Sequence, residues 1–171
     1  TAPGLGQRPG QRAGGMGAGA IEIFNEKGIA FFVLKYRMPK GDRNIPISDA
    51  VKSMKTVRDS ANSWHINPYD VGVMGSSAGG HLASVISTKA DFYERPNFSI
   101  LFYPVISMDK SKSHVGSCDN FLGTGVNDKQ LANDFSTDKQ VRNHLTPEAV
   151  IFLANDDGGV PPLTNGIVYY S

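Results

Sequence analysis

Five consecutive residues, Gly75-Ser76-Ser77-Ala78-Gly79, restrict the fold of this 171-residue chain more than any other stretch. A short apolar run, Val71-Gly72-Val73-Met74, precedes them, and a helix-compatible run from Gly79 to Thr88 follows. A buried strand that passes directly into a helix leaves one residue on a sharp turn, and here that residue is Ser77. The flanking glycines remove Cβ atoms where neighbouring backbone must pass close to it. The helix start behind Ser77 favours developing negative charge, and the Ala78 N–H is in position to donate to an oxyanion. Ser77 is the candidate nucleophile and Ala78 a candidate oxyanion-hole donor. A bare G-x-S-x-G pattern is weakly specific, because glycine and serine are common. The strand before it and the helix after it supply the specificity.

The rest of the chain fits the same kind of architecture. Ile29 to Tyr36 is a nearly continuous apolar run, which predicts a strand covered on both faces. Phe98–Ile106 and Ala149–Ala154 read as further strands. Between them lie predicted helices. One ends over Ile21–Glu26 and stops at Lys27-Gly28. Another is capped by Ser48 or Asp49 and carries Ala50, Val51, Met54, Val57, Ala61 and Trp64 on one face. Arg37–Ile47 and Asn67–Asp70 are loop and turn, and Asp109–Pro147 is a long polar excursion with a short apolar helix or turn at Phe121-Leu122. A last helix is expected after Pro161-Pro162. Buried strands alternating with helices predict the α/β class, a doubly wound, mostly parallel sheet. Thr1–Ala20 is Gly-rich with almost no large apolar residue, so residues 1–20 are expected to be irregular or disordered and 21–171 to form the domain.

Composition narrows the function classes. A net charge of +1 offers no electrostatic case for nucleic acid or for an anionic membrane as partner. No apolar run approaches the roughly 18 residues needed to span a bilayer, and no basic stretch followed by an apolar one marks a signal peptide at Thr1. Cys118 is the single cysteine, which excludes an intramolecular disulfide and a multi-cysteine zinc site and marks it as a passenger. No cofactor and no metal are expected.

A serine nucleophile needs a base, and the base needs an orienting carboxylate. The carboxylate candidates sit in a Gly-rich loop at the tip of the last predicted strand, Asn155-Asp156-Asp157-Gly158-Gly159. Asp157 is preferred over Asp156, and a solvated acidic turn is the alternative. That pair offers too few ligands for a metal. His81 lies one helical turn beyond Ser77 and reads as packing or capping, while His65 and His144 read as structural or solvated.

From Gly28 to about Pro162 the chain resembles the bacterial acetyl-esterase and feruloyl-esterase-like branch of the α/β-hydrolase fold. The resemblance is carried by Gly28-Ile29-Ala30 through Leu34-Lys35-Tyr36-Arg37, by Val71 to Ser84, and by Phe102-Tyr103-Pro104-Val105-Ile106-Ser107. It continues in His114-Val115-Gly116-Ser117, Asn120-Phe121-Leu122-Gly123, Asp156-Asp157 and Val160-Pro161. It implies hydrolysis of a carboxylic ester, with small-molecule or oligosaccharide esters, acetylated or feruloylated, as substrate. It also implies Ser77 as nucleophile, Asp157 as triad acid and His114 in a loop over the active-site side, where it could bind substrate. Such proteins are often secreted or periplasmic.

Two departures stand out. The family places its catalytic histidine beyond the acid, whereas His65, His81, His114 and His144 all precede Asp157. The family's second oxyanion donor comes from a Gly-rich loop, which Pro3-Gly4-Leu5-Gly6-Gln7 matches only in part, with Gly4 and Leu5 at the corresponding positions. The scrambled residues around that loop suggest a frameshifted or truncated reading frame. The family also places its third strand between the strands matching Ile29–Tyr36 and Val71–Met74. Without it, the chain alone is expected to be poorly stable, and inactive or nearly so. A non-catalytic binding module and a prolyl-oligopeptidase-like peptidase are the rival readings.

Overall fold

The computed structural model describes residues 16–170, with side chains from Ile21 onward. Three strands, β1 (Val73–Ser76), β2 (Phe98–Phe102) and β3 (Glu148–Phe152), form a parallel sheet in the order β1-β2-β3. Val73 pairs with Ser99 and Ser76 with Phe102; Phe98 in turn pairs with Glu148 and Phe102 with Phe152. Parallel neighbours need crossover connections, and helix α4 (Ala78–Lys89) provides the first. The Asp109–Pro147 excursion, which holds α5 (Val115–Leu122) and α6 (Lys129–Phe135), provides the second.

The period-2 alternation of β2 assigns the two faces. Ser99 and Leu101 are buried, while Phe98, Ile100 and Phe102 point the other way and are partly or largely exposed. The buried face packs on α4 and on α7 (Gly166–Tyr170), through Ala83, Leu101, Ile106 and Tyr169. A second cluster joins α4 to α2 (Asn44–Asp59) through Leu82, Ile86, Ala50 and Met54. A third gathers Val85, Val105, Met108, Cys118, Phe121, Leu122 and Val160. Burial pushes the Cys118 thiol up to about 11, so it is an inert core side chain. The other face of the sheet carries Val150, Phe152 and Phe98 at the surface, with no helix over it among the described residues. No described helix is long and apolar enough to cross a membrane.

Several elements differ from expectation. Helix α1 runs from Met16 to Glu26 and so reaches into the stretch expected to be irregular. Its end matches the expected stop: the Ile29 and Gly28 N–H groups donate to the Phe24 and Asn25 carbonyls, with Gly28 at φ 73°. Ile29–Tyr36, expected as a buried strand, forms no ladder, and Ile29, Phe32, Val33 and Leu34 are exposed. A strand needs a neighbouring backbone to satisfy its N–H and C=O groups, and no described backbone pairs with this one. Its aromatic rings find side-chain partners instead, Phe31 against Phe24 and Phe32 against Trp64.

Helix α2 starts at Asn44 and ends at Asp59, followed by α3 (Ala61–Trp64). Pro46 sits in the first turn of α2, where its missing N–H has no intrahelical role. Asp49 is therefore within the helix rather than capping it, and pairs with Arg37 at 2.7 Å. Ser48 donates to the Ile45 carbonyl, again inside the helix. β2 stops at Phe102 rather than Ile106, because Tyr103 turns the chain at φ 35° and Pro104 has no N–H to continue the ladder.

Candidate active site

Ser77 lies between the last residue of β1 and the first of α4, at φ 51°, ψ −120°. A non-glycine residue in such a region costs about 1–3 kcal/mol and persists only when its surroundings hold it there. The surroundings here are explicit. The Ser77 N–H donates to the Phe102 carbonyl at 3.1 Å, and the Ser77 carbonyl accepts from the Val105 N–H at 3.1 Å and the His81 N–H at 3.0 Å. A Cβ on Gly75 would stand 2.3 Å from the Gly79 oxygen, and one on Gly80 would stand 2.8 Å from the Pro104 Cβ. The two glycines are thus required by close approach of strand, helix and the chain after β2.

Ala78 opens α4, so its N–H has no acceptor within the helix. Ala78 is exposed and Ser77 half-buried, which leaves both open to a small molecule. The 12-residue helix directs its positive end at this point.

The acid loop leaves β3, whose carboxyl end lies beside that of β2: the Tyr103 N–H donates to the Phe152 carbonyl at 2.7 Å. The loops bearing Ser77 and Asp157 therefore rise from the same end of the sheet, two strand spacings or roughly 10 Å apart at the strand tips. Asp157 is half-buried, and its Oδ1 accepts from the Gly159 and Val160 N–H groups, each at 2.9 Å. Those bonds hold the carboxylate in place, whereas Asp156 is exposed.

The four histidines occupy other places. His81 is buried on α4, where its Nδ1 meets the Val105 carbonyl at 3.1 Å and its ring stands edge-on to Phe121. Burial lowers it to about 4, so it is neutral near pH 7 and donates from Nδ1. His114 caps α5: its Nδ1 accepts from the Ser117 N–H at 3.2 Å. His65 ends α3 at φ 55°, and His144 stands at φ 64° before β3. Among the described residues no hydrogen bond joins an imidazole ring to Ser77 or Asp157; the one histidine contact to Ser77 is the backbone bond from the His81 N–H. Gly4 and Leu5 lie outside the described residues. Among those residues no group of histidine, cysteine and acidic side chains could hold a metal.

Two features escaped the sequence reading. The segment Phe102–Val105 grips both sides of the Ser77 backbone, and the signal for it was the Tyr103-Pro104 pair after an apolar run. Asn165 is fully buried, and its Oδ1 accepts from the Ile106 and Ser107 N–H groups and the Ser113 hydroxyl. It ties α7 to the chain leaving β2, and a lone asparagine in a C-terminal loop gives no local signal of that role.

Comparison with known proteins agrees with the fold. Residues 20–165 match the family described as alpha/beta hydrolase fold. A Xylanibacter ruminicola protein named acetylxylan esterase is 59% identical over 153 residues, covering 89% of this chain and 32% of that protein. Endo-1,4-beta-xylanase B of Butyrivibrio fibrisolvens is 30% identical, covering 83% of this chain and 24% of that protein. Among solved structures, an acetyl ester-xyloside bifunctional hydrolase from Caldicellulosiruptor lactoaceticus superposes with a TM-score of 0.79 at 32% identity, over 89% of this chain and 59% of that one. The chain therefore spans about a third or less of the curated relatives it matches. With the family matched over most of its length and Ser77 seated on the strand-to-helix turn, this chain belongs to the alpha/beta hydrolase fold family.

Proposed function

We propose that this chain carries the nucleophile and acid of a serine carboxylic-ester hydrolase acting on acetylated xylan or its oligosaccharides. The observation that carries the proposal is the backbone of Ser77, held at φ 51° by hydrogen bonds from two directions with its side chain on a half-exposed turn. The likeness to the acetylxylan esterase supports the substrate class.

In the reaction, Ser77 Oγ attacks the acyl carbonyl while an imidazole takes its proton. The carbonyl oxygen gains negative charge, which the Ala78 N–H and the α4 dipole stabilise, and Gly4 and Leu5 are the candidates for the second donor. The imidazole returns the proton to the departing sugar oxygen, and water then hydrolyses the acyl-serine to release the carboxylic acid. Asp157 orients the imidazole through Oδ2, the oxygen not engaged by Gly159 and Val160. None of the four imidazoles is bonded there, and in this sequence all four precede the acid. His114, its Nδ1 committed to Ser117, has Nε2 to offer a sugar hydroxyl.

Fluorophosphonate labelling tests the assignment. The chain should label slowly at Ser77, and Ser77→Ala should abolish the label while Ser76→Ala keeps it. In the whole protein, Ser77→Ala should lower acetyl-ester turnover by about 10⁴–10⁶, the loss seen when a triad member is removed from a well-studied serine protease. A label that stays after Ser77→Ala removes the proposal.

A further inference from the structure

At the amino end of the sheet, opposite Ser77, a cavity of about 220 Å³ opens between the loop before β1, the loop before β2 and the turn before β3. Ten residues line it, and none is acidic, yet Arg58, Arg95 and His144 are among them. Arg58 is only 7% exposed, and neither arginine has a carboxylate partner among the described residues. Arg58 donates to the Pro68 and Tyr93 carbonyls and to Asn97 Oδ1. Arg95 donates to the Ala90 carbonyl twice and to the Leu145 carbonyl. A guanidinium has five N–H donors, so each retains two unspent. A buried cation without a counter-charge is costly, and a carboxylate offered to those N–H groups would offset the cost.

The rest of the wall narrows the ligand. Phe92 is 87% exposed and Tyr69 78% exposed, so two aromatic faces stand in water at the cavity rim. Such faces suit the C–H side of a sugar ring. Asn97 Oδ1 is occupied by Arg58 and by the Val71 N–H, which leaves the amide nitrogen to meet a hydroxyl. The volume is below the roughly 300–1,000 Å³ of sites for drug-sized ligands, so it suits a single ring. The nearby Asp59 carboxylate does not supply the missing charge, since it binds Lys55 at 3.2 Å and the Tyr93 hydroxyl at 3.0 Å.

We infer that this cavity binds a sugar ring bearing a carboxylate, a uronic-acid unit of an acidic oligosaccharide, at a site separate from Ser77. Such a site would anchor a branched polysaccharide without taking part in ester cleavage.

Calorimetric titration of the Ser77→Ala chain isolates this site from the nucleophile. The ligands are a xylo-oligosaccharide carrying one glucuronic acid, the same oligosaccharide without it, and ferulate as an aromatic acid. The acidic oligosaccharide should bind at least about tenfold more tightly than either of the others. Its affinity should fall as salt is raised from about 0.05 to about 0.5 M. Phe92→Ala, at a position too exposed to disturb folding, should weaken it by about tenfold. No binding, equal affinity for the neutral oligosaccharide, tighter binding of ferulate, or indifference to Phe92→Ala overturns the inference. Because Ser77 is absent from the titrated protein, these outcomes are independent of the esterase reading.

Discussion

Two apolar stretches of this chain meet opposite fates. Val73–Lys89 and Phe98–Val105 are tied together: β1 pairs with β2, α4 packs on one face of both, and the Ser77 backbone is hydrogen-bonded to Phe102 and Val105. Ile29–Tyr36 is no less apolar, yet Ile29, Phe32, Val33 and Leu34 are between 40% and 52% exposed and join no sheet. Hydrophobicity drives burial, but a strand also needs a partner backbone at about 4.8 Å. The elbow region holds a strained serine because so many neighbours fix it, whereas the apolar run before α2 is held by its ring contacts and a bond from the Ile29 N–H to the Phe24 carbonyl.

The contrast predicts that one chemical change will cost very different amounts in the two regions. Gly75→Ala places a Cβ against the Gly79 carbonyl and should cost about 3 kcal/mol in urea unfolding, at the upper end of overpacking effects. A cost below about 1 kcal/mol would mean that the strand-helix contact is looser than described.

His81 sharpens the comparison through pH. Its folded value, near 4, lies below the ordinary 6.5, so the unfolded chain takes up a proton first. Stability from this group is complete above pH 6.5 and is lost as pH falls towards 4, by roughly 3 kcal/mol in all. His81→Gln, which keeps a donor for the Val105 carbonyl, should flatten the stability profile across that window. The Asp49 carboxylate, held near 2 by Arg37, changes the profile only at lower pH, because its stabilisation is complete above 3.8 and is lost as pH falls towards 2. A profile that remains steep between 6.5 and 4 in His81→Gln would assign the effect to other groups.

Smaller effects belong to the open region. Gly28→Ala meets no atom within 4 Å and should cost only the left-handed backbone penalty at φ 73°, about 1 kcal/mol. Val33→Ser, at a position 52% exposed, should change stability by less than about 0.5 kcal/mol. If Val33→Ser proves as costly as a core substitution, the run is packed in solution and the contrast fails.

Where the reading of the chain succeeded, the signal was local. The elbow could be recognised because the tight turn, the glycines and the helix start are consecutive residues, Gly75 to Gly80. The stop of α1 at Gly28 was legible for the same reason. The start of α2 was misread because Asp49 is as good a cap as it is an ion-pair partner, and only the approach of Arg37 decides between them. The strand at Ile29–Tyr36 was misread because apolar composition reports a preference for burial and not the presence of a neighbour.

The amino-acid sequence by itself determined the α/β class, the serine on the strand-to-helix turn and the candidate acid, since each depends on residues close together in the chain. Only the tertiary structure decided the rest. It brought the Ser77 and Asp157 loops to one end of the sheet, clamped Ser77 with Phe102 and Val105, and buried His81 as a neutral ring away from the acid. These outcomes depend on which backbones pair and how closely they pack, and contacts of that range are made only when the chain folds on itself.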